Sequence, residues 1–109
     1  MRLVWRPMAL EDREAILEHI GQDNPGAAVQ IDDEIEAKAE QARRHPTLYR
    51  AGRVRGTREA VVRPNYVLVY RVDGEGDDGE LVVLRVLHAA QQWPPGCPGG
   101  AFLLSFYEE

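Results

Sequence analysis

The sequence of 109 residues contains a single cysteine, Cys97, which excludes an internal disulfide and a cluster of thiolate metal ligands. It also lacks any apolar run near the roughly 20 residues that a membrane-spanning helix requires. A signal peptide is not expected, because Arg6 and Pro7 interrupt the first apolar residues. The composition, 44% hydrophobic and 28% charged, is typical of one globular domain. These features predict a protein of the reducing cytoplasm that does not bind a membrane.

The net charge of −5 argues against a dedicated nucleic-acid binder, but the charge is distributed unevenly. Residues 1–48 carry a net charge of −4, residues 49–72 carry +5, and residues 73–109 carry −6. The basic middle segment has Glu59 as its one acid and six arginines: Arg50, Arg53, Arg55, Arg58, Arg63 and Arg71. This pattern indicates either a local surface for an anionic partner or pairing between the arginines and the acidic flanks.

Two antiparallel helices are predicted from apolar residues spaced three and four apart. The first helix is predicted over residues 9–21, with Glu11 and Asp12 in its first turn, where the helix dipole favours acids. The second helix follows Asn24, which is a good N-cap residue, and continues for about 20 residues. It is expected to end before Pro46, since the residue preceding a proline avoids the α conformation.

Strands are predicted before and after the helices. Residues 3–5 form a short strand, and residues 58–63 form another behind a glycine turn. Residues 66–72 and 81–87 are apolar on both faces, which indicates central strands. The predicted fold is therefore α+β, with an N-terminal strand and an antiparallel helix hairpin packed on a curled, mainly antiparallel β-sheet.

One domain is predicted over residues 1–94, and residues 95–109 form a Pro/Gly-rich linker followed by an apolar tail. The predicted core joins the apolar faces of both helices to the two central strands. Its members are Ile16, Ile20, Ile31, Ile35, Val67, Val69, Leu84 and Val86.

The sequence contains no phosphate-binding loop, zinc-ligand spacing or nucleophile elbow, so neither a cofactor nor a metal is expected. His88 ends a predicted strand beside the arginine-rich strands. A histidine in such surroundings can act as acid or base on RNA while arginines stabilise the developing negative charge. The alternative is a structural hydrogen-bonding role for His88. His19 and His45 are predicted to be surface residues, and Cys97 has no base within sequence reach.

Three stretches resemble the RelE/ParE superfamily of bacterial toxins: residues 52–59 (GRVRGTRE), 64–72 (PNYVLVYRV) and 86–94 (VLHAAQQWP). The resemblance extends in order over about residues 1–94. It implies a small toxin that is neutralised by an antitoxin, whose C-terminal segment wraps around the toxin.

The superfamily contains two activities. RelE-like members cut mRNA in the ribosome with a cluster of basic residues and a tyrosine or a histidine–tyrosine pair near the C-terminus, whereas ParE-like members inhibit DNA gyrase. After His88 the sequence continues AAQQ, without a basic residue or a tyrosine, and so is more similar to the ParE-like branch. The resemblance implies a non-enzymatic growth inhibitor from a plasmid-stabilisation type of toxin–antitoxin system. Two alternatives are a RelE-like ribosome-dependent endoribonuclease and an inactive antitoxin-binding module.

Each activity implies its own site residues. If the protein cleaves mRNA, the resemblance and the basic segment give as catalytic candidates Arg53, Arg55, Arg63 and His88. The candidates for binding a partner are Arg53, Arg55, Arg58, Arg63 and Arg71. The implied partners are a cognate antitoxin and DNA gyrase, or alternatively the ribosome and mRNA, and a homodimer is a further candidate assembly.

The C-terminal tail falls outside the resemblance. Residues 101–107 are strongly apolar, and burying one Leu or Phe side chain is worth roughly 1.5–3 kcal/mol. We therefore predict that the tail docks on an apolar surface, either the groove that an antitoxin would occupy or a second copy of the chain. The alternative is a frayed terminus.

Overall fold

The computed structural model describes residues 1–88, so the predictions for the linker and the tail lie outside the described residues. Five strands and two helices make up this part of the chain. In chain order they are β1 (Arg2–Trp5), α1 (Pro7–Gly21), α2 (Pro25–Arg44), β2 (Arg50–Ala51), β3 (Arg58–Arg63), β4 (Tyr66–Asp73) and β5 (Glu80–His88). A short 3₁₀ turn, Gly76–Asp78, precedes β5.

The strands form a single sheet in the order β1-β5-β4-β3-β2. Strand β1 runs parallel to β5, and every other pair is antiparallel. The two helices pack against each other, α1 also contacts β5, and α2 crosses β3, β4 and β1. The predicted α+β fold and the central placement of β4 and β5 are therefore confirmed. Within residues 1–88, neither helix has the length and apolar character needed to cross a bilayer.

The helix ends follow local sequence signals in α2 and depart from them in α1. Asn24 caps α2, because its side-chain oxygen accepts a hydrogen bond of 3.1 Å from the backbone N–H of Ala27. Helix α1 begins at Pro7, two residues earlier than predicted, since a proline fits the first helical position. Glu11 and Asp12 consequently lie beyond the first turn, and the predicted dipole role for them is wrong.

The assignment of the core residues to one side of the sheet was partly wrong. Ile31 and Ile35 pack on the helix side as predicted, with Leu68, Tyr70, Leu81, Val83 and Val86, and Ile16 and Ile20 are partly buried against this cluster. Val67, Val69 and Leu84 belong instead to a second cluster with Val54, Val82 and Leu87. Because both faces of β4 are apolar, the sequence pattern does not decide which set of alternate residues meets the helices.

A β-bulge explains why Leu84 and Val86 separate. Opposite β4, the register shifts between Val69, which pairs with Arg85, and Tyr70, which pairs with Val83. Leu84 is therefore the extra residue of β5, and the alternation of side chains changes phase there. As a result Leu84 packs in the second cluster, while Val86 packs beneath the helices.

A buried carboxylate fastens α1 to β5 beside this bulge. Asp12 accepts hydrogen bonds from Nε and Nη2 of Arg85 at 2.7 and 3.0 Å. It also accepts one from the backbone N–H of Val86 at 2.9 Å. The Asp12 and Arg85 side chains are only 15% and 12% exposed. The helix hairpin is therefore held on the sheet by a desolvated ion pair as well as by apolar packing.

Candidate functional site

Four of the candidate arginines lie at one end of the sheet, around the hairpin that joins β2 to β3. The hairpin is tight: the N–H of Gly52 donates to the carbonyl of Thr57 at 2.8 Å, and the hydroxyl of Thr57 donates to the carbonyl of Val54 at 2.6 Å. A Cβ at Gly52 would lie 2.1 Å from Oγ1 of Thr57, so only glycine fits there. Gly56 has φ of +85°, the left-handed conformation that glycine adopts without strain.

A buried acid organises the arginines of this hairpin. Glu59 is 2% exposed, and it accepts a hydrogen bond of 2.9 Å from the backbone N–H of Arg53. It also pairs with the guanidinium groups of Arg50 at 3.2 Å and Arg53 at 3.6 Å. A buried carboxylate requires such partners, because an unpaired charge is costly to desolvate. Two arginines of the basic segment, Arg50 and Arg53, are thus paired with a carboxylate of the same chain.

Arg58 and Tyr70 connect the hairpin end to the loop that follows α2. Nη1 of Arg58 donates to the carbonyl of Tyr49 at 2.7 Å, and the hydroxyl of Tyr70 donates to the carbonyl of Pro46 at 2.8 Å. The Tyr70 side chain is fully buried, and burial raises the pKa of its hydroxyl to about 12 although Arg58 acts in the opposite direction. The hydroxyl therefore stays protonated, and keeps donating to Pro46, to a higher pH than an ordinary tyrosine hydroxyl would.

Two further candidate arginines, Arg55 and Arg71, lie at this end of the sheet. Arg55 is exposed, and within residues 1–88 it takes part in no ion pair. Arg71 is 30% exposed and pairs with Asp73 at 3.1 Å. Arg53, Arg55, Arg58 and Arg71 therefore form a group around the β2–β3 hairpin, which we call the hairpin arginine group.

Arg63 and His88 lie at the opposite end of the sheet. Nε and Nη2 of Arg63 donate to the two carboxylate oxygens of Glu34 in α2, at 2.7 and 2.6 Å. These hydrogen bonds lower the pKa of the Glu34 carboxyl and raise the pKa of the Arg63 guanidinium. Tyr66 pairs with Arg63 on one side and with His88 on the other, and its ring meets the His88 ring edge to face at 5.2 Å.

The two ends of β3 separate the candidates for RNA cleavage. Arg58 begins the strand and Arg63 ends it, and five steps of about 3.3 Å place their backbones roughly 17 Å apart. Arg63 and His88 are thus brought near each other through Tyr66, while Arg53 and Arg55 lie with the hairpin. The structure does not bring all four around a single phosphate.

Both interpretations of the basic segment apply, each to different residues. Arg50, Arg53 and Arg63 pair with carboxylates of the chain, whereas Arg55 projects into solvent. In the sequence, Glu59 is distinguished only as the single acid among six arginines. The sequence signal for a buried carboxylate was a single acid within a predicted strand, with arginines on both sides of it. Glu34 gave no such signal, because it is one of many acids in α2.

Across residues 1–88, no three His, Cys, Asp or Glu side chains meet in a way that could hold a metal ion. The polar groups exposed at the hairpin end include the guanidinium group of Arg55. Guanidinium groups suit carboxylates and phosphates, which they contact with two parallel hydrogen bonds.

Solved structures share this fold. A chain of the chromosomal ParDE TA system from P. aeruginosa superimposes with a TM-score of 0.70 at 23% identity, covering 81% of this chain and 95% of that chain. The YoeB/ParE toxin from Agrobacterium tumefaciens gives a TM-score of 0.60 at 21% identity, with coverage of 81% and 98%. The two helices on a five-stranded, mostly antiparallel sheet thus place the chain in the fold class of these two structures.

Sequence relatives agree with this class. The sequence model of the ParE toxin of the type II toxin–antitoxin system parDE matches residues 3–93. Toxin RelE2 of Caulobacter vibrioides is 34% identical over 90 residues, which cover 83% of this chain and 97% of the relative. Y4kP of Sinorhizobium fredii, whose name describes a candidate toxin, is 32% identical over 94 residues, with coverage of 85% and 93%. The chain belongs to the ParE toxin family of type II toxin–antitoxin systems, and the family implies a cognate antitoxin as its partner.

Proposed function

We propose that this toxin is a ParE-like growth inhibitor that acts on DNA gyrase in the cytoplasm, and that its antitoxin neutralises it by binding. The observation that carries the proposal is the separation of the basic candidates. Arg63 is held at two points by Glu34, at the far end of β3 from the hairpin arginine group. Cleavage of RNA by a histidine and arginines would need these groups around one phosphate. Inhibition of a protein target needs only a complementary surface.

The hairpin arginine group is the part of the surface that we assign to partner binding. Arg55 is exposed there, and Arg58 and Arg71 lie on adjacent strands β3 and β4. We expect carboxylates of the antitoxin to pair with these guanidinium groups. Exposed ion pairs are screened by salt, so complex formation should weaken as ionic strength rises. Arg63 contributes less, because it lies at the opposite end of β3 from this group.

Partner binding can be tested with charge-removing variants. The double change Arg55→Ala and Arg58→Ala should weaken binding to the antitoxin encoded by the adjacent reading frame, most strongly at low salt. Arg44→Ala is the matched control, since Arg44 is 65% exposed on α2. Calorimetric titration at two salt concentrations measures the difference. Equal affinities for the double variant and the control would remove the hairpin arginine group from the interface.

The gyrase target is tested in cells and with purified components. Induction of the toxin should arrest growth with filamentation and DNA damage while protein synthesis continues. The purified toxin should inhibit supercoiling of relaxed plasmid by gyrase, and added antitoxin should reverse the inhibition. Rapid loss of protein synthesis, with ribosome-dependent cuts in mRNA and unchanged supercoiling, would contradict the proposal.

A second candidate function is ribosome-dependent mRNA cleavage, which is favoured by the 34% identity to a relative named Toxin RelE2. In that case His88→Ala should abolish cleavage while leaving antitoxin binding intact. A third candidate, an inactive antitoxin-binding module, predicts that induction causes no arrest at all. The same induction experiment therefore separates the three.

A further inference from the structure

A β-bulge near the end of β3 directs Arg63 toward the helices. The register of β3 against β4 shifts between Val61 and Arg63, so Val62 is the extra residue. Val62 packs against the core cluster beneath the helices. Arg63 lies opposite Tyr66, a member of that cluster, and therefore on the same face of the sheet. Without the bulge, the alternation of side chains along a strand would direct Arg63 to the other face.

Glu34 of α2 receives the guanidinium group that the bulge directs to this face. Nε and Nη2 of Arg63 donate to the two carboxylate oxygens at 2.7 and 2.6 Å. A guanidinium group binds a phosphate with the same pair of parallel hydrogen bonds. These bonds also lower the pKa of the Glu34 carboxyl, so the carboxylate is ionised at neutral pH. Glu34 therefore occupies the position that two oxygens of a phosphate would take at Arg63.

The exposure of this ion pair distinguishes it from the pair that holds α1 on the sheet. The side chains of Arg63 and Glu34 are 35% and 36% exposed, whereas those of Asp12 and Arg85 are 15% and 12% exposed. An exposed ion pair contributes little to stability, because water and salt screen it. The Arg63–Glu34 pair is therefore not required to hold the fold together, and a ligand can reach Arg63 from solvent.

Arg63 is close to the histidine at this end of the sheet. His88 is exposed at the end of β5, and Tyr66 lies opposite both Arg63 and His88 on the strand between them. Neighbouring strands are about 4.8 Å apart, so two spacings place the backbones of Arg63 and His88 about 10 Å apart. A phosphate bound at Arg63 would therefore lie close to the imidazole of His88.

We propose that Glu34 is a specificity-determining residue, whose carboxylate occupies the phosphate position at Arg63 and so keeps single-stranded nucleic acid from binding there. A phosphodiester group must displace the carboxylate from both hydrogen bonds, and the displaced charge then repels it. The proposal goes beyond the gyrase target and does not depend on it. It states which class of ligand this end of the sheet excludes, and which residue excludes it.

The test measures binding of a fluorescein-labelled short oligoribonucleotide to the purified toxin by fluorescence anisotropy. Glu34→Ala should tighten binding by about ten-fold, because it removes both the competing acceptor and a charge that repels phosphate. Asp33→Ala is the matched control, since Asp33 is an exposed acid of α2 and its loss changes the net charge equally. It should change the affinity less than about two-fold. A DNA strand of the same sequence should gain as much from Glu34→Ala as RNA, because both contain the phosphodiester group.

Two double variants separate the role of Arg63 from that of net charge. Glu34→Ala combined with Arg63→Gln should lose the gain in affinity. Glu34→Ala combined with Arg44→Gln has the same net charge and should keep most of the gain, since Arg44 is 65% exposed elsewhere on α2. Thermal melting of each variant confirms that the fold is retained.

The proposal would be overturned by equal affinities of Glu34→Ala and Asp33→Ala, by a gain that survives Arg63→Gln, by a gain that Arg44→Gln also abolishes, or by a gain limited to one kind of nucleic acid. The supercoiling assay separates this result from the proposed target. A toxin without effect on gyrase that shows the full gain in Glu34→Ala contradicts the gyrase target and supports the role of Glu34. A toxin that inhibits gyrase but shows no gain contradicts the role of Glu34 alone.

Discussion

Replacing Asp12 with alanine should be among the most destabilising single changes in the described part of the chain. The carboxylate accepts three hydrogen bonds, two from Arg85 and one from the backbone N–H of Val86. Both side chains of the ion pair are at least 85% buried, since they are 15% and 12% exposed. The change therefore removes the carboxylate partner of a mostly buried guanidinium and the acceptor of a backbone N–H.

The magnitude follows from those two losses. Removing one partner of a buried ion pair costs about 3–5 kcal/mol, and an unsatisfied buried N–H costs about 1–3 kcal/mol. The two costs overlap because both arise from one carboxylate, so we expect a loss of about 3–5 kcal/mol in the free energy of unfolding. A domain of this size has only about 5–15 kcal/mol in total.

Urea denaturation, followed by circular dichroism and tryptophan fluorescence, measures this loss by linear extrapolation. Glu80→Ala serves as the control, since Glu80 pairs with Arg2, whose side chain is 75% exposed, and such pairs contribute about 0–1 kcal/mol. The double change Asp12→Leu and Arg85→Met should recover much of the loss, because it removes the buried charge as well. A loss below 1 kcal/mol for Asp12→Ala would show that the Asp12–Arg85 ion pair does not hold α1 on the sheet.

Three further changes test other parts of the fold. Ile35 is fully buried beneath the sheet, so Ile35→Ala should cost about 2–4 kcal/mol in chemical denaturation, and a change below about 0.5 kcal/mol would show that its burial contributes nothing. Raising the pH from 10 to 12 should destabilise the wild type by roughly 2 kcal/mol more than Tyr70→Phe. The reason is that the pKa of tyrosine is near 10 in the unfolded chain, whereas that of Tyr70 in the folded protein is about 12. Parallel curves of unfolding free energy against pH for the two proteins would contradict this. Gly52→Ala should weaken antitoxin binding, since its Cβ would displace Thr57 and reshape the hairpin, and an unchanged affinity would show that the hairpin's shape does not matter.

Local chemistry in the sequence determined most of the elements. Helix α2 begins after Asn24, because the Asn24 side chain accepts from a backbone N–H of the first turn and Pro25 fits the first helical position. The helix ends before Pro46, because the residue preceding a proline avoids the α conformation. Strand β3 has the predicted bounds, and β4 and β5 extend the predicted strands by one to two residues. These signals depend on neighbours within a few residues, so no tertiary information is needed to read them. The same local stretches carried the resemblance to the toxin superfamily, which the family match over residues 3–93 confirms.

The face of the sheet that meets the helices, and the partner of each charge, depend on contacts between residues far apart in the sequence. Strand β4 is apolar on both faces, so the alternation of apolar and polar residues does not show which face meets the helices. The bulge at Leu84 also reverses which residues of β5 point to each face. The pairing of Arg63 with Glu34 joins residues 29 positions apart and depends on how α2 crosses β3. The separation of Arg63 from the hairpin arginines likewise depends on the direction of β3. The sequence shows only that these arginines are close along the chain. In the structure β3 is about 17 Å long, so the arginines at its two ends have different surroundings.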